Sequence, residues 1–430
     1  MKRESSLIGI SRHRNNFMQV KSCQNYSRKK AVYTLIILLS LPYPVMSQNA
    51  SQQSGKAQNP IAGVLTQIVR SPVLLENNMV KFNLYAPSAR EVAVTGEWMT
   101  DFGSISLEGG KMKEGPLVSE KLVRGDSGIW SITLGPIKPE IYSYNFIVDG
   151  VKITDPSNVL SKRDGIKIFS VLLIRGKESE LYSVNNVPHG TIHKIWYNSP
   201  ALGLYRRMYI YTPPGYEKST SDYPVLYLLH GGTIDEEAWT TLGNANQILD
   251  NLISQGKAKP MIIVMPNGNP DQAAAPGETP LETTSAGIIS NGLFEKSLIS
   301  DIIPFIESTY RVIGTKENRA IAGLSMGGGH TLKITLDNPD KFDYIGVFSA
   351  GLRTATPETG KQLKALESSN PKLFWVGCGV EDPLAYTGTK NLVELLNKYH
   401  FNLVYRESKG GHTWTNWRNY LSEFAPLLFK

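Results

Sequence analysis

Residues 321–329 read Ile-Ala-Gly-Leu-Ser-Met-Gly-Gly-Gly, an apolar run that ends at Ser325 with Gly323 and Gly327 two residues to either side. The pattern predicts a buried strand, a tight turn and a helix. A backbone that reverses this sharply needs unusual φ and ψ, and it passes too close to itself for a Cβ. Such a turn lifts the serine hydroxyl above the end of a sheet. Strands and helices alternate from residue 192 onward, which implies a mainly parallel sheet with helices on both faces.

An alcohol is a poor nucleophile at neutral pH, so Ser325 needs a base, and the base needs an orienting carboxylate. Downstream, apolar residues 373–379 read as a buried strand that runs directly into Val380, Glu381, Asp382 and Pro383. A carboxylate just past the C-terminal end of a parallel strand lies on the face where such sheets bind ligands. Residues 401–406 alternate like a strand and lead to Gly410, Gly411 and His412. Asp382 is therefore the candidate acid, with Glu381 as its rival, and His412 the candidate base. Other histidines have other readings. His330 lies on the helix after the turn, His230 is structural, and His400 closes an amphipathic helix over 387–399, where a cation suits the helix dipole.

Acyl transfer also needs a site for the developing oxyanion. The apolar strand 223–230 ends in His230-Gly231-Gly232-Thr233, whose glycines leave backbone N–H groups free to face a substrate. The amides of Thr233 and of Met326, the residue after Ser325, are the candidate donors.

The first 47 residues read as an export leader rather than as fold. Arg28, Lys29 and Lys30 precede an apolar run over 31–41 and the small residue Ser47, after which cleavage is expected. The run is shorter than the roughly 20 residues of a membrane span, and the basic stretch is long enough that Met18 is an alternative start to Met1. The leader holds eight of the 45 Lys/Arg and one of the 38 Asp/Glu, so the remainder carries 37 of each. The isoelectric point near 9.0 thus belongs to the leader, and no affinity for nucleic acid or an anionic membrane follows. Cys23 departs with the leader, which leaves Cys378 as a small core residue and no internal disulfide. Two cysteines and scattered histidines make no structural zinc pattern, and neither a metal nor another cofactor is expected.

Residues 48–60 form a polar linker. Over 61–176 the texture is all-β, with period-two strands at 79–86, 91–95, 128–134 and 142–150 and a hairpin signal at Asp149-Gly150. An immunoglobulin-like sandwich is the expectation there. A charged segment, 175–180, leads to a second domain at 187–430. It begins with a strand at 204–212 closed by Pro213, Pro214 and Gly215, a helix at 245–255 and a strand at 260–266. A helix at 297–310 carries Pro304, which kinks it or marks its first turns. Loop 267–293 follows a strand end and is a candidate wall or lid of the cleft. The fold class read from the chain is α/β, a mainly parallel sheet preceded by an all-β sandwich.

The second domain resembles the esterase D-like α/β-hydrolases of carbohydrate esterase family 1, which include feruloyl and acetylxylan esterases. The resemblance is carried by Val187-Pro-His-Gly, Tyr211-Thr-Pro-Pro-Gly-Tyr, His230-Gly-Gly, Asp250-Asn-Leu-Ile, Gly323-Leu-Ser-Met-Gly-Gly, Gly411-His412-Thr-Trp and Trp417-Arg418. It places nucleophile, acid and base on Ser325, Asp382 and His412, and makes Gly232, Trp414 and Trp417 candidate substrate-binding residues. Thr233 departs from the further glycine of many relatives, though its backbone amide survives. The first domain is similar to the early-set sandwiches related to family 48 carbohydrate-binding modules, on Phe82 to Pro87, Val92 to Trp98, Tyr142 to Gly150 and Asp155-Pro156. That likeness offers Trp98, Trp130, Tyr142 and Tyr144 for stacking on sugar, although alternating strand aromatics also build cores. Together the resemblances imply a serine esterase acting on polysaccharide-linked esters, with feruloyl groups on arabinoxylan first, and the leader implies that it is exported. Acetylxylan, siderophore trilactones and a non-catalytic sugar-binding role are the alternatives.

Overall fold

The computed structural model describes residues 69–109, 111–275, 292–352 and 354–430. The expected leader, the linker, residues 61–68 and the 276–291 part of the loop after the fourth strand of the large sheet lie outside the described residues. No helix among those described is long and apolar enough to cross a membrane.

From Val73 to Ile174 the chain forms two larger antiparallel sheets and a separate two-stranded one, Ile105–Glu108 with Lys111–Glu114. One of the larger two is built on Val80–Tyr85 paired with Ile129–Leu134, the other on Lys167–Ile174, Glu140–Val148 and Val92–Gly96. Alternation turns Val80, Phe82 and Leu84 of one sheet toward Val92, Val94, Tyr144 and Phe146 of the other, and these share one core. Asp149 and Gly150, at φ 48° and 88°, make the two-residue turn between Glu140–Val148 and Val151–Ile153.

This core corrects the sugar-stacking expectation. Trp130, Tyr142 and Tyr144 are 7%, 9% and 0% exposed, and Trp98 stacks on Phe82 with ring centroids 5.2 Å apart. Trp130, Tyr142 and Tyr144 lie on strands whose alternation turns them into the space between the sheets, and the half-buried Trp98, in the turn after Val92–Gly96, packs against the same core.

The C-terminal part is an eight-stranded sheet: β1 (Thr191–Ser199), β2 (Leu204–Thr212), β3 (Val225–Leu229), β4 (Ile262–Pro266), β5 (Arg319–Leu324), β6 (Tyr344–Phe348), β7 (Leu373–Gly379) and β8 (Leu403–Ser408), in the spatial order β1-β2-β4-β3-β5-β6-β7-β8. The β1–β2 and β2–β4 pairings are antiparallel and the rest are parallel. Strands buried on both faces feed two cores alternately. Leu226, Ile263 and Ala322 face α1 (Ala245–Ser254) and α6 (Trp414–Phe424). Tyr227, Val264 and Ile321 face the cluster that includes Leu332 of α3 (Met326–Asp337), Leu366 of α4 (Pro357–Ser368) and Leu392 of α5 (Tyr386–Lys398).

The helix expected at 297–310 starts earlier. α2 begins at Leu293–Ser297, passes through a π-turn over Leu298–Ile302 and resumes as Ile303–Thr309. Pro304 has no N–H to donate to the preceding turn, and the wider turn just before it absorbs the mismatch.

Sandwich and sheet belong to one compact unit. At their junction the fully buried Arg418 of α6 donates to Glu140 Oε1 at 2.9 Å, to the Ile141 carbonyl at 3.1 Å and to the Leu242 carbonyl at 2.8 Å. Tyr182 completes the junction with a 2.7 Å bond to the other Glu140 oxygen.

Candidate active site

Ser325 sits between β5 and α3 at φ 52° and ψ −116°, a conformation that costs a residue with a Cβ about 1–3 kcal/mol and persists only where its surroundings dictate it. Its N–H is fixed to the Phe348 carbonyl at 2.8 Å, and its own carbonyl accepts from Gly329 at 3.0 Å. The flanking glycines act by shape. A Cβ on Gly327 would lie 2.5 Å from the His230 carbonyl oxygen and 2.6 Å from that of Leu229, and one on Gly323 would collide with the Gly327 backbone. The turn is thus wedged against the end of β3.

Asp382 follows β7 by three residues and is 1% exposed. Its Oδ1 accepts from the amides of Leu384 and Ala385, both at 3.0 Å, and its Oδ2 from His412 Nδ1 at 2.7 Å. Glu381 is exposed, and its backbone amide pairs with the Gly410 carbonyl. With Nδ1 committed to Asp382, Nε2 is the imidazole nitrogen available to a hydroxyl. The ring stands edge-to-face on Trp417 at 5.0 Å, Trp417 on Trp414 at 5.1 Å, and Trp414 on Trp239 at 5.5 Å. Trp417 Nε1 donates to Ser349 Oγ at 3.1 Å, and Trp239 Nε1 to the Leu229 carbonyl at 3.0 Å. Trp414 and Trp417, the substrate-binding candidates, are each 6% exposed and belong to the core, Trp417 against the histidine and Trp414 behind Trp417.

Beyond β3, Gly231 lies so close to the elbow that a Cβ there would be 2.6 Å from Leu324 Cδ1 and 3.4 Å from Ser325 Cβ. Gly232 is half-buried, and Thr233 is exposed at φ 65°. Met326 is the first residue of α3, where an N–H has no intrahelical acceptor and the helix dipole favours negative charge. His230 ties two strand ends together. Its Nδ1 meets the Gly231 carbonyl at 2.7 Å, and its Nε2 accepts from the Gly268 amide at 2.7 Å. Burial pushes its pKa down to about 4, which keeps Nε2 an acceptor. His330 is buried against Glu295 at 2.9 Å, and His400 sits just past α5 at φ 58°. Neither contacts the Asp382–His412 pair.

Sequence reasoning missed how this scaffold is held. Asp235, Glu236 and Glu237, separated by one residue from Thr233, bind Arg163 and Arg207. Three successive carboxylates beside a glycine loop were the available signal. Trp239, the last ring of the aromatic series, gave none. Cys378 is buried as expected, with Sγ 3.9 Å from Asp382 Oδ2 and its thiol pKa pushed up to about 12, chiefly by desolvation.

Residues 199–428 match the family described as "Putative esterase". The chain is 33% identical over 367 residues to an endo-1,4-beta-xylanase/feruloyl esterase of Xylanibacter ruminicola, covering 84% of this chain and 46% of that one. It is 34% identical over 153 residues to an esterase of Mycobacterium tuberculosis, covering 33% of this chain and 28% of that one. The chain thus spans less than half the length of these curated relatives. Among solved structures, a ferulic acid esterase of carbohydrate esterase family 1 from Anaeromyces mucronatus superposes with a TM-score of 0.51 at 27% identity, covering 58% of this chain and 95% of that one. The enterobactin esterase of Shigella flexneri shares the fold alone, with a TM-score of 0.59 at 19% identity over 82% of this chain and 92% of that one. A serine on a strained strand-to-helix turn and a strand-end acid joined to a histidine stand within the matched span, and a match over more than half of the sequence makes this chain a member of the putative-esterase family.

Proposed function

We propose that the protein is an exported serine esterase that removes ester substituents from plant cell-wall polysaccharide, feruloyl groups on arabinoxylan first. The observation that carries the chemistry is the 2.7 Å bond from His412 Nδ1 to buried Asp382, in a chain whose serine stands on a wedged elbow. The names and likeness of the xylanase/feruloyl esterase and the ferulic acid esterase support the substrate. The basic and apolar leader supports export.

In the proposed reaction Ser325 Oγ gives its proton to His412 Nε2 and bonds to the ester carbonyl carbon. The carbonyl oxygen becomes an oxyanion that accepts from the Thr233 and Met326 amides. As the intermediate collapses, the sugar oxygen leaves with the proton from His412. Water then gives a proton to His412 and attacks the acyl-enzyme, and the carboxylic acid departs as Ser325 is reprotonated. Asp382 holds the tautomer and stabilises the imidazolium between steps.

The test is release of product from methyl ferulate and from acetylated xylan by the wild type and by Ser325→Ala. Ser325-dependent ferulate release is the expected result. Acetate release alone would move the substrate to acetylxylan. Silence on both, with hydrolysis of a siderophore trilactone, would move it off polysaccharide altogether.

A further inference from the structure

The loop after β3 leads from the candidate oxyanion amide into three carboxylates, which two arginines share between them. Glu236, buried with no exposed side-chain surface, receives Arg207 Nε of β2 at 2.6 Å, Asn267 Nδ2 at 2.9 Å and the Ala275 amide at 2.9 Å. Glu237 receives Arg207 Nη2 and the Tyr209 hydroxyl, each at 3.0 Å. Asp235 is held from the sandwich. Arg163, on the strand Ser161–Asp164, donates Nη1 to Asp235 Oδ2 at 2.7 Å and Nη2 to Asp235 Oδ1 at 2.9 Å.

The same guanidinium does two further things. Its Nη2 reaches Glu237 Oε2 at 2.9 Å, and its Nη1 donates to the Gly165 carbonyl at 2.7 Å, which shapes the turn after its own strand. That turn rests on Thr233. Gly165 takes φ 59°, and a Cβ there would stand 2.5 Å from the Thr233 carbonyl oxygen. One side chain of the sandwich therefore fixes the residue that offers the oxyanion amide and the residue two positions beyond it.

We propose that Arg163 is a positioning residue for the oxyanion loop, so that the N-terminal sandwich completes the esterase site. A fork-to-fork pair of guanidinium and carboxylate has strict geometry, which a lysine cannot reproduce. Asp235 has only 3% of its side chain exposed, so without Arg163 its charge is left nearly buried and uncompensated, and the loop moves to hydrate it. Thr233 moves with it. The inference rests on the serine-esterase reading above, and the experiment separates the two.

Wild type, Ser325→Ala, Arg163→Ala and Arg163→Lys are assayed on p-nitrophenyl acetate and methyl ferulate, with thermal melting of each. Arg163→Ala is expected to keep KM while kcat falls about tenfold or more, part of the 10²–10³ that loss of one oxyanion donor removes. Its affinity for a boronic acid that forms a tetrahedral adduct with the serine falls by the same factor, whereas ferulate affinity does not. Arg163→Lys recovers part of the loss. A folded Arg163→Ala protein with kcat within about twofold of wild type overturns the proposal. If Arg163→Ala does not fold, Asp235→Asn, which leaves the Arg163–Glu237 contact, is read by the same two criteria. Activity unchanged in Ser325→Ala would instead remove the serine-esterase reading itself.

Discussion

Two loops meet at the candidate site, and they are held in opposite ways. The elbow at Ser325 is fixed by shape, through glycines that admit carbonyls of β3 and a backbone with one way to turn. The loop 231–237 is fixed by charge, through carboxylates clamped by arginines that lie 29 and 72 residues away in sequence. Shape restraints depend on near neighbours and resist changes in solvent. Charge restraints depend on distant partners and on the protonation state of each group. The proposed reaction, which needs a serine held still and a loop that receives a changing charge, would draw on both.

The contrast is sharpened most by Ser325→Ala, which should lower kcat/KM about 10⁴-fold or more while leaving the melting temperature near that of the wild type. A melting temperature that drops sharply would mean the hydroxyl also holds the turn. Next, Glu236→Ala removes the main partner of a buried guanidinium. Chemical denaturation should show a loss of about 4 kcal/mol, within the range for breaking a buried pair, and a loss below 1 kcal/mol would show that charge does not fix this loop. Gly327→Ala should cost about 3 kcal/mol, because the added methyl group meets two backbone carbonyls that cannot rotate away. That cost should be the same at low and high salt, and a salt-dependent cost would break the contrast.

The smallest expected effect is one of pH. His230 has its pKa lowered from 6.5 to about 4 by burial, so the unfolded chain binds the proton more readily than the folded one. Its neutral form contributes fully above pH 6.5, and the contribution is lost as the pH falls from there toward 4, amounting to about 2 kcal/mol by pH 5. His230→Gln should flatten this acid limb in urea titrations at pH 7 and pH 5. An unchanged limb would assign it to other groups.

The same contrast explains which features could be read from the chain. Ser325, the strands β2 and β7 and the hairpin at Asp149-Gly150 follow from neighbours within a few residues, and the structure places them where local rules do. Asp382 was separable from Glu381 only by position after a strand, yet one is buried on His412 and the other is exposed. The start of α2 was missed because a π-turn moved the effect of Pro304 one turn back. Trp98 offered a flat ring to either a sugar or a core, and Phe82 opposite it decided the matter. No local pattern couples Arg163 to Asp235 or Arg418 to Glu140, since each pair exists only once sandwich and sheet have met.

The last of these pairs bears on how the molecule can be divided. The large sheet begins at Thr191, and the stretch just before it is an obvious place to cut for a minimal α/β unit. A chain cut there would keep Arg418, with no exposed side-chain surface, on the helix that follows His412, and would discard Glu140 and the Ile141 carbonyl. It would bare the underside of the helix that supports His412, the candidate base. The sandwich is therefore not a cassette to be swapped or trimmed for convenience, and libraries built by shuffling such modules should carry both halves of this seam together.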